Sequence, residues 1–217
     1  MYPIFLNLDG KKCLVVGGGR VALRKVLALI RSNADVTVIA SECCDRLKQL
    51  ESNITLHIRP FKEEDLTGKY LLVIGATDSQ EVNSTISQRA AQLNIPCNIV
   101  DQPSLCSFFV PAQVRQGNVN IAISTDGVSP RFSRYLKGVI GETIQPLHGE
   151  LAAYLGTIRN RLRTEIPDIT LRSAFWEKIF EEDPVEVIRL DGWDTFRMRV
   201  EKCIFDFTQQ IENDGKK

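Results

Sequence analysis

The sequence predicts an α/β fold whose first half is a parallel sheet of the Rossmann type. Three observations carry this prediction. Apolar runs of strand length alternate with segments of helical spacing over the first half, a glycine-rich turn joins the first such pair, and the last third is helical throughout. We predict a Rossmann domain over 1–113, a small mixed α/β region over 114–145 and a C-terminal helical domain over 146–217.

The first strand and helix meet at the triple glycine 17–19. The apolar run 13–16 ends there, and helical spacing begins with Arg20 and Val21. Gly17-x-Gly19-x-x-Ala22 has the spacing of a dinucleotide-binding fingerprint, in which the glycines let the backbone approach a pyrophosphate and the helix N-terminus offers N–H groups to it. We predict that Gly17, Gly19, Arg20 and Val21 contact the cofactor. The alternative is a purely structural turn.

The second strand, 36–40, decides which dinucleotide is expected. Domains that prefer NAD often hold the ribose hydroxyls with an acidic residue after this strand, whereas an arginine there suits the 2′-phosphate of NADP. This turn has no arginine, and its first acidic residue is Glu42, after Ser41. We therefore predict NAD, with Ser41 and Glu42 at the ribose.

Apolar runs at 54–58, 71–76 and 97–100 predict three further strands, and the short apolar run 4–8 predicts one before the fingerprint. Thr77 follows one of these strands, so we expect it near the cofactor. Asp78 and Glu81 have the spacing of a capping box for the next helix.

Asp101 stands directly after the strand 97–100. A carboxylate at this edge of the sheet faces the cofactor crevice, where loss of water raises its pKa and suits it to be a general base. The other interpretation is an Asp-Gln-Pro turn that Asp101 stabilises through its own backbone. The residues alone leave both open.

The pattern changes after residue 107. Apolar runs at 108–110 and 119–123 predict a hairpin, and Ser129-Pro130 predicts a helix start. Cations and hydroxyls gather around this start, which indicates either a solvated basic face or a pocket for substrate carboxylates; the residues are Ser124, Thr125, Ser129, Arg131 and Arg134. Two apolar stripes at 147–162 and 174–180 then predict helices, and we expect 213–217 to be disordered.

Composition limits the classes of binding partner and the cellular compartment that we expect for this chain. Lys+Arg and Asp+Glu are both 27, so no excess charge points to nucleic acid or to an anionic membrane. The N-terminus lacks a basic leader and no apolar run reaches the length of a membrane span, so we expect a cytoplasmic protein. The six cysteines form no C-x-x-C pair and only two histidines are present, so no resident metal is predicted.

Several segments together resemble the siroheme-synthase dehydrogenase/ferrochelatase family. The resemblance covers about residues 2–182 and rests on the segments 3–8, 14–19, 76–78, 98–101, 107–112, 123–130 and 175–178. It implies oxidation of precorrin-2 to sirohydrochlorin with hydride passing to NAD, and in some members insertion of Fe²⁺ or Co²⁺ as a substrate. It further implies a homodimer with 114–145 as its dimerisation region.

The resemblance also implies roles for individual residues. Asp101 matches the family's essential aspartate, whose carboxylate would stabilise positive charge and remove a proton as hydride leaves. Thr125 stands where relatives commonly carry serine, and the region 124–134 would bind the acetate and propionate groups of the tetrapyrrole. The 217 residues leave no room for the methyltransferase domain of the multifunctional members, so we expect a stand-alone dehydrogenase.

Two other functional classes remain open from the sequence. One is a regulatory module that senses NAD without chemistry, which would need no carboxylate at position 101. The other is a chelatase or tetrapyrrole carrier that retains the dinucleotide fold, in which metal insertion would proceed without NAD.

Overall fold

The computed structural model describes residues 1–214 and divides the chain into two compact units, 1–110 and 111 onward. The boundary falls between Val110 and Pro111, three residues before the predicted end of the Rossmann domain. The further division of the second unit at 145/146 stays a prediction.

The first unit contains a five-stranded parallel sheet in the order β3-β2-β1-β4-β5. Its strands are β1 (Lys12–Val16), β2 (Asp35–Ala40), β3 (Thr55–Ile58), β4 (Leu72–Gly75) and β5 (Cys97–Ile99). The chain runs outward from β1 to β3 and then crosses back to β4 and β5. This reversal beside β1 is the switch point at which open α/β sheets bind ligands.

Helices cover both faces of the sheet because β1, β2 and β4 are nearly continuous apolar runs. The helices of this unit are α1 (Arg20–Ile30), α2 (Asp45–Lys48) and α3 (Gln80–Gln92). On one face α1 buries Ala22, Val26 and Leu29 against β1 and β2. On the other face α3 packs Ile86 and Ala90 against β1, β4 and β5.

Two local predictions in this unit are wrong. Segment 4–8 forms no strand, because β2 and β4 already occupy both sides of β1 and the tight turn at Asp9-Gly10 leads directly into that strand. The helix cap is Ser79, whose hydroxyl accepts a 3.3 Å hydrogen bond from the Val82 amide, so Asp78 and Glu81 form no capping box.

Over residues 111–214 the second unit begins with an antiparallel hairpin and continues in four helices. Its elements are β6 (Ala112–Gln116), β7 (Val119–Ile123), α4 (Pro130–Thr143), α5 (Pro146–Glu165), α6 (Ile169–Ile179) and α7 (Pro184–Asp214). The predicted strand 108–110 is wrong, since β7 pairs with 112–116 instead. Ser129 and Pro130 start α4 as predicted, with the Ser129 hydroxyl accepting from the Phe132 amide at 3.3 Å.

The core of this unit lies among α5, α6 and α7, around the fully buried Phe175 and Leu162. Gly192 interrupts α7 with φ +86°, a conformation that glycine adopts without strain. The helix is assigned through Asp214, residues 215–217 lie outside the described residues, and the disorder expected over 213–217 stays a prediction. Over the described residues, none of the helices has the length and apolarity to cross a membrane.

Candidate dinucleotide and catalytic site

Backbone hydrogen bonds align the carboxyl ends of four strands along one edge of the sheet. The amide of Gly17 donates to Ile39 at 2.9 Å and that of Ala76 to Val16 at 2.7 Å, while Val100 donates to Gly75 at 2.9 Å. The turns after β1, β2, β4 and β5 therefore lie side by side. These turns contain the predicted cofactor residues and Asp101.

The three glycines of the fingerprint have different reasons to be glycine. Gly17 has φ +126°, and a Cβ on it would lie 2.2 Å from the backbone oxygen of Ala76. A Cβ on Gly18 would lie 1.8 Å from the backbone oxygen of Glu42. A Cβ on Gly19 meets nothing within 4 Å. The fold itself therefore requires the first two glycines, whereas the open space at Gly19 suits a bound pyrophosphate.

Helix α1 is open to a ligand at its first turn. Gly19 occupies the cap position and no side chain caps the helix. The first amides of a helix have no partner within it, so those of Arg20 and Val21 are available to an anion and add the positive end of the helix dipole. This arrangement fits a dinucleotide pyrophosphate.

The loop after β2 closes over the fingerprint turn. The amide of Cys44 donates to the Gly18 carbonyl at 2.9 Å, which fixes the loop by backbone contacts. Ser41 and Glu42 precede it and are exposed, so their side chains are accessible to a ribose as predicted. Their contact with the cofactor stays a prediction.

Thr77 belongs to the same edge, but its hydroxyl is already engaged. Thr77 Oγ1 donates to Asn83 Oδ1 at 2.9 Å, and Asn83 Nδ2 donates back to the Thr77 carbonyl at 3.0 Å. Asn83 is buried on α3. Thr77 therefore shapes the turn after β4, and its predicted contact with the cofactor remains untested.

Asp101 lies at the carboxyl end of β5 in the left-handed region, with φ +59°. Its side chain is exposed, so the desolvation that we expected is not supplied by the described residues. The residue forms a turn and also presents a carboxylate at the ligand-binding edge, so both interpretations of Asp101 stay predictions. A left-handed turn is one that aspartate and asparagine adopt more readily than other side chains.

The segment after Asp101 folds back along the free edge of β5. The Cys97 amide donates to Ser107 Oγ at 2.8 Å, and buried Asn98 donates from Nδ2 to the Phe108 carbonyl at 3.0 Å. The thiol of Cys106 accepts from the Ile99 amide at 3.2 Å. These side-chain bonds hold the turn that carries Asp101, and sequence analysis missed them; its only signal was the polar Asn98 inside an apolar strand.

Lys25 is a second residue that sequence analysis missed. It is half-buried on α1, beside the apolar stripe that packs against Val100 and Phe108. Burial lowers the pKa of Lys25, and the neighbouring Arg24 lowers it further, while Cys106 and Asp101 act in the opposite direction. Its ammonium therefore contributes to the electrostatic field around Asp101.

The predicted substrate residues lie in the second unit, around the start of α4. Thr125 Oγ1 lies 3.0 Å from Ser133 Oγ and donates to the Ser129 carbonyl at 3.0 Å, so these hydroxyls build the turn. Ser124 Oγ accepts from the Asp126 amide at 3.1 Å. Two exposed cations follow on α4, Arg131 and Arg134.

Two family models match this chain in succession. The model described as "Putative NAD(P)-binding" covers residues 4–112, and the model described as "Sirohaem synthase dimerisation region" covers 148–202. The chain belongs to the siroheme-synthase N-terminal family. The prediction from the resemblance is thereby confirmed at the level of the family, and so is a dinucleotide-binding first unit.

Curated relatives in this family are longer proteins. The chain is 37% identical over 205 residues to "Siroheme synthase" of Thioalkalivibrio sulfidiphilus, covering 94% of this chain and 42% of the relative. It is 39% identical over 192 residues to "Siroheme synthase" of Nitrosospira multiformis, covering 86% of this chain and 40% of the relative. The chain thus spans less than half the length of these relatives.

A solved structure supports the fold over nearly the whole chain. The protein described as "SirC, precorrin-2 dehydrogenase" superposes with a TM-score of 0.76 at 24% identity, covering 93% of this chain and 100% of that one. The predicted succession of a Rossmann-type sheet and C-terminal helices is confirmed by this likeness.

Proposed function

We propose that the chain is an NAD-dependent precorrin-2 dehydrogenase that forms sirohydrochlorin. The observation that carries the proposal is the position of Asp101, an accessible carboxylate at the same sheet edge as a fingerprint turn left open at Gly19. Membership of the siroheme-synthase family and the fold shared with a precorrin-2 dehydrogenase support it.

In the proposed reaction the substrate loses two hydrogens, one as a hydride and one as a proton. Bound NAD supplies the hydride acceptor. The Asp101 carboxylate takes the remaining proton and offsets the positive charge that develops on the carbon framework. The free amides of Arg20 and Val21 at the start of α1 hold the pyrophosphate in the open space beside Gly19, and Arg131 and Arg134 attract the substrate carboxylates.

The test uses two variants that retain the left-handed turn. Asn is close to Asp in shape and Gly adopts φ +59° freely, so both D101N and D101G should fold and bind NAD. Turnover of precorrin-2, followed by sirohydrochlorin absorbance, should fall about 10²–10⁴-fold in both. Near-normal turnover in these variants would show that the Asp101 carboxylate takes no part in the reaction. Absence of NAD-dependent turnover in the native chain would reject the dehydrogenase and favour an NAD-sensing module or a carrier.

We propose further that the chain forms a homodimer through an apolar face of α4. Phe132, Tyr135 and Val139 recur at helical spacing and are 50%, 64% and 44% exposed. The Phe132 and Tyr135 rings stack at 6.0 Å. A solvent-exposed stripe of this kind is typical of an interface. The matched dimerisation region, 148–202, begins shortly after α4 and favours a second copy as the occupant. Sedimentation should show Y135D to be monomeric and I58D, which alters exposed Ile58 on β3, to remain dimeric. A dimeric Y135D would reject this interface.

The six cysteines are free, which suits the reducing cytoplasm that we propose as the location. Insertion of Fe²⁺ or Co²⁺ as a second substrate stays a prediction from the resemblance. Within residues 1–214 no three or more His, Cys, Asp or Glu side chains are grouped to hold a metal ion.

A further inference from the structure

An arginine-rich groove runs between α1 and α2 in the first unit. Its volume is about 490 Å³, within the usual size range of ligand pockets. Leu23 and Leu27 contribute apolar surface. Four arginines line it, Arg20, Arg24, Arg31 and Arg46. Apart from Arg20, which follows the fingerprint turn, these arginines have no part in the sequence motifs or in the proposed chemistry.

The charge of the groove is strongly positive. In the described part of the chain, none of these four arginines has a carboxylate within ion-pair distance. The single carboxylate of the lining belongs to Asp45, which is 4.0 Å from Lys48. Four like charges in one groove repel one another, so binding of an anion relieves an existing electrostatic cost.

One end of the groove adjoins the cofactor turn. Arg20 directly follows Gly19, and Cys44, another lining residue, donates its amide to the Gly18 carbonyl at 2.9 Å. The adenosine ribose of a dinucleotide lies beside the turn after β2, and an arginine near that point is what accommodates a 2′-phosphate. Arg46 lies on α2, past this turn. Arg31 lies about 16 Å from Arg20 along α1, at 1.5 Å per residue.

We propose that Arg46, with Arg20, binds the 2′-phosphate of NADP, so that the chain accepts NADP as well as NAD. This inference rests on the proposed dinucleotide site. The sequence favoured NAD because the turn after β2 has no arginine. The fold, however, places arginines of α1 and α2 in one groove that adjoins that turn, and a guanidinium bonds a phosphate in a bidentate manner.

The test compares one variant with a matched control from the same groove. R46Q removes the charge that we place near the ribose, whereas R31Q removes another exposed charge at the distant end. Dissociation constants of NADP and NAD are measured by calorimetry for the native chain and both variants. We expect R46Q to weaken NADP about tenfold or more and to leave NAD unchanged, R31Q to change neither, and R46K to restore part of the loss.

A second readout uses fragments of the cofactor. In the native chain 2′,5′-ADP should bind more tightly than 5′-ADP, and R46Q should abolish the difference. Two results would overturn the inference and leave the NAD-dependent function intact. One is a native affinity for NADP more than tenfold below that for NAD, and the other is an equal loss of NADP affinity in R46Q and R31Q. Failure of both dinucleotides to bind would reject the cofactor site itself, and the inference with it.

Discussion

Thr77 and Asn83 are joined by two hydrogen bonds that run in opposite directions, one from the Thr77 hydroxyl and one to its carbonyl. The pair connects the turn after β4 to the buried side of α3, so a residue at the proposed cofactor edge depends on a polar group in the core.

Replacing Thr77 with valine should destabilise the first unit. The change keeps the shape of the side chain but leaves the buried Asn83 oxygen without its donor, at a cost of about 1–3 kcal/mol. Urea denaturation measures this loss. T85V is the control, because the Thr85 hydroxyl donates only to the Glu81 carbonyl in its own helix. Equal losses in the two variants would show that the pair contributes nothing specific.

Gly19 and Gly18 should respond differently to an added side chain. A valine at Gly19 enters open space, so G19V should fold and lose NAD affinity. An alanine at Gly18 meets the Glu42 backbone at 1.8 Å, so G18A should lose about 3 kcal/mol or more of stability. Thermal melts and NAD titration of both variants check this. Normal NAD affinity in a folded G19V would contradict the fingerprint assignment.

Acid should weaken the contact between Arg59 and Asp65. Two hydrogen bonds of 2.7 and 2.6 Å from Arg59 hold the pKa of Asp65 below its ordinary value. Because the pKa of Asp65 is lower in the native chain than the unfolded value of about 4, ionised Asp65 stabilises the fold above about pH 4. This stabilisation is lost as the pH falls through the native pKa. D65N should therefore be less stable than the native chain at pH 7, with the gap closing below about pH 4. A gap for D65N that stays constant as the pH falls would refute the argument.

Two buried cysteines should resist alkylation. Burial raises the pKa of Cys13 to about 11 and that of Cys97 to about 12, so at pH 8 only about one Cys13 thiol in a thousand is ionised. Half-exposed Cys44 should react with iodoacetamide first, as peptide mapping would show. In urea the three thiols should react at similar rates. Early modification of Cys97 in the folded chain would contradict its burial.

The sequence predicted the central sheet well because each inner strand is buried on both faces. A strand such as β4 must then be apolar at every position, and that pattern is local and easily recognised. The fingerprint turn was predictable for a similar reason, since its geometry depends on glycines at fixed spacing. Asp101 was predictable only as a position after a strand.

Features that depend on distant partners were not predictable. The edge of β5 is closed by contacts from the Ser107 side chain and the Phe108 carbonyl. The sequence did not reveal these contacts, because the apolar run at 108–110 resembles a strand. Three arginines of the groove lie along α1 and the fourth lies on α2, so the groove forms only when the two helices lie side by side. The apolar segment 4–8 failed as a strand because pairing depends on a free sheet edge.

The closure of the loop after β2 over Gly18 also bears on how this site can diverge. The contact joins backbone to backbone, so it restricts the residue at 18 while placing no demand on the exposed side chains of Ser41 and Glu42. Selection on the fold therefore acts on the glycine, and these two loop positions are left to vary. Preference for one dinucleotide over another can drift through substitutions in that loop without a matching change in the phosphate turn.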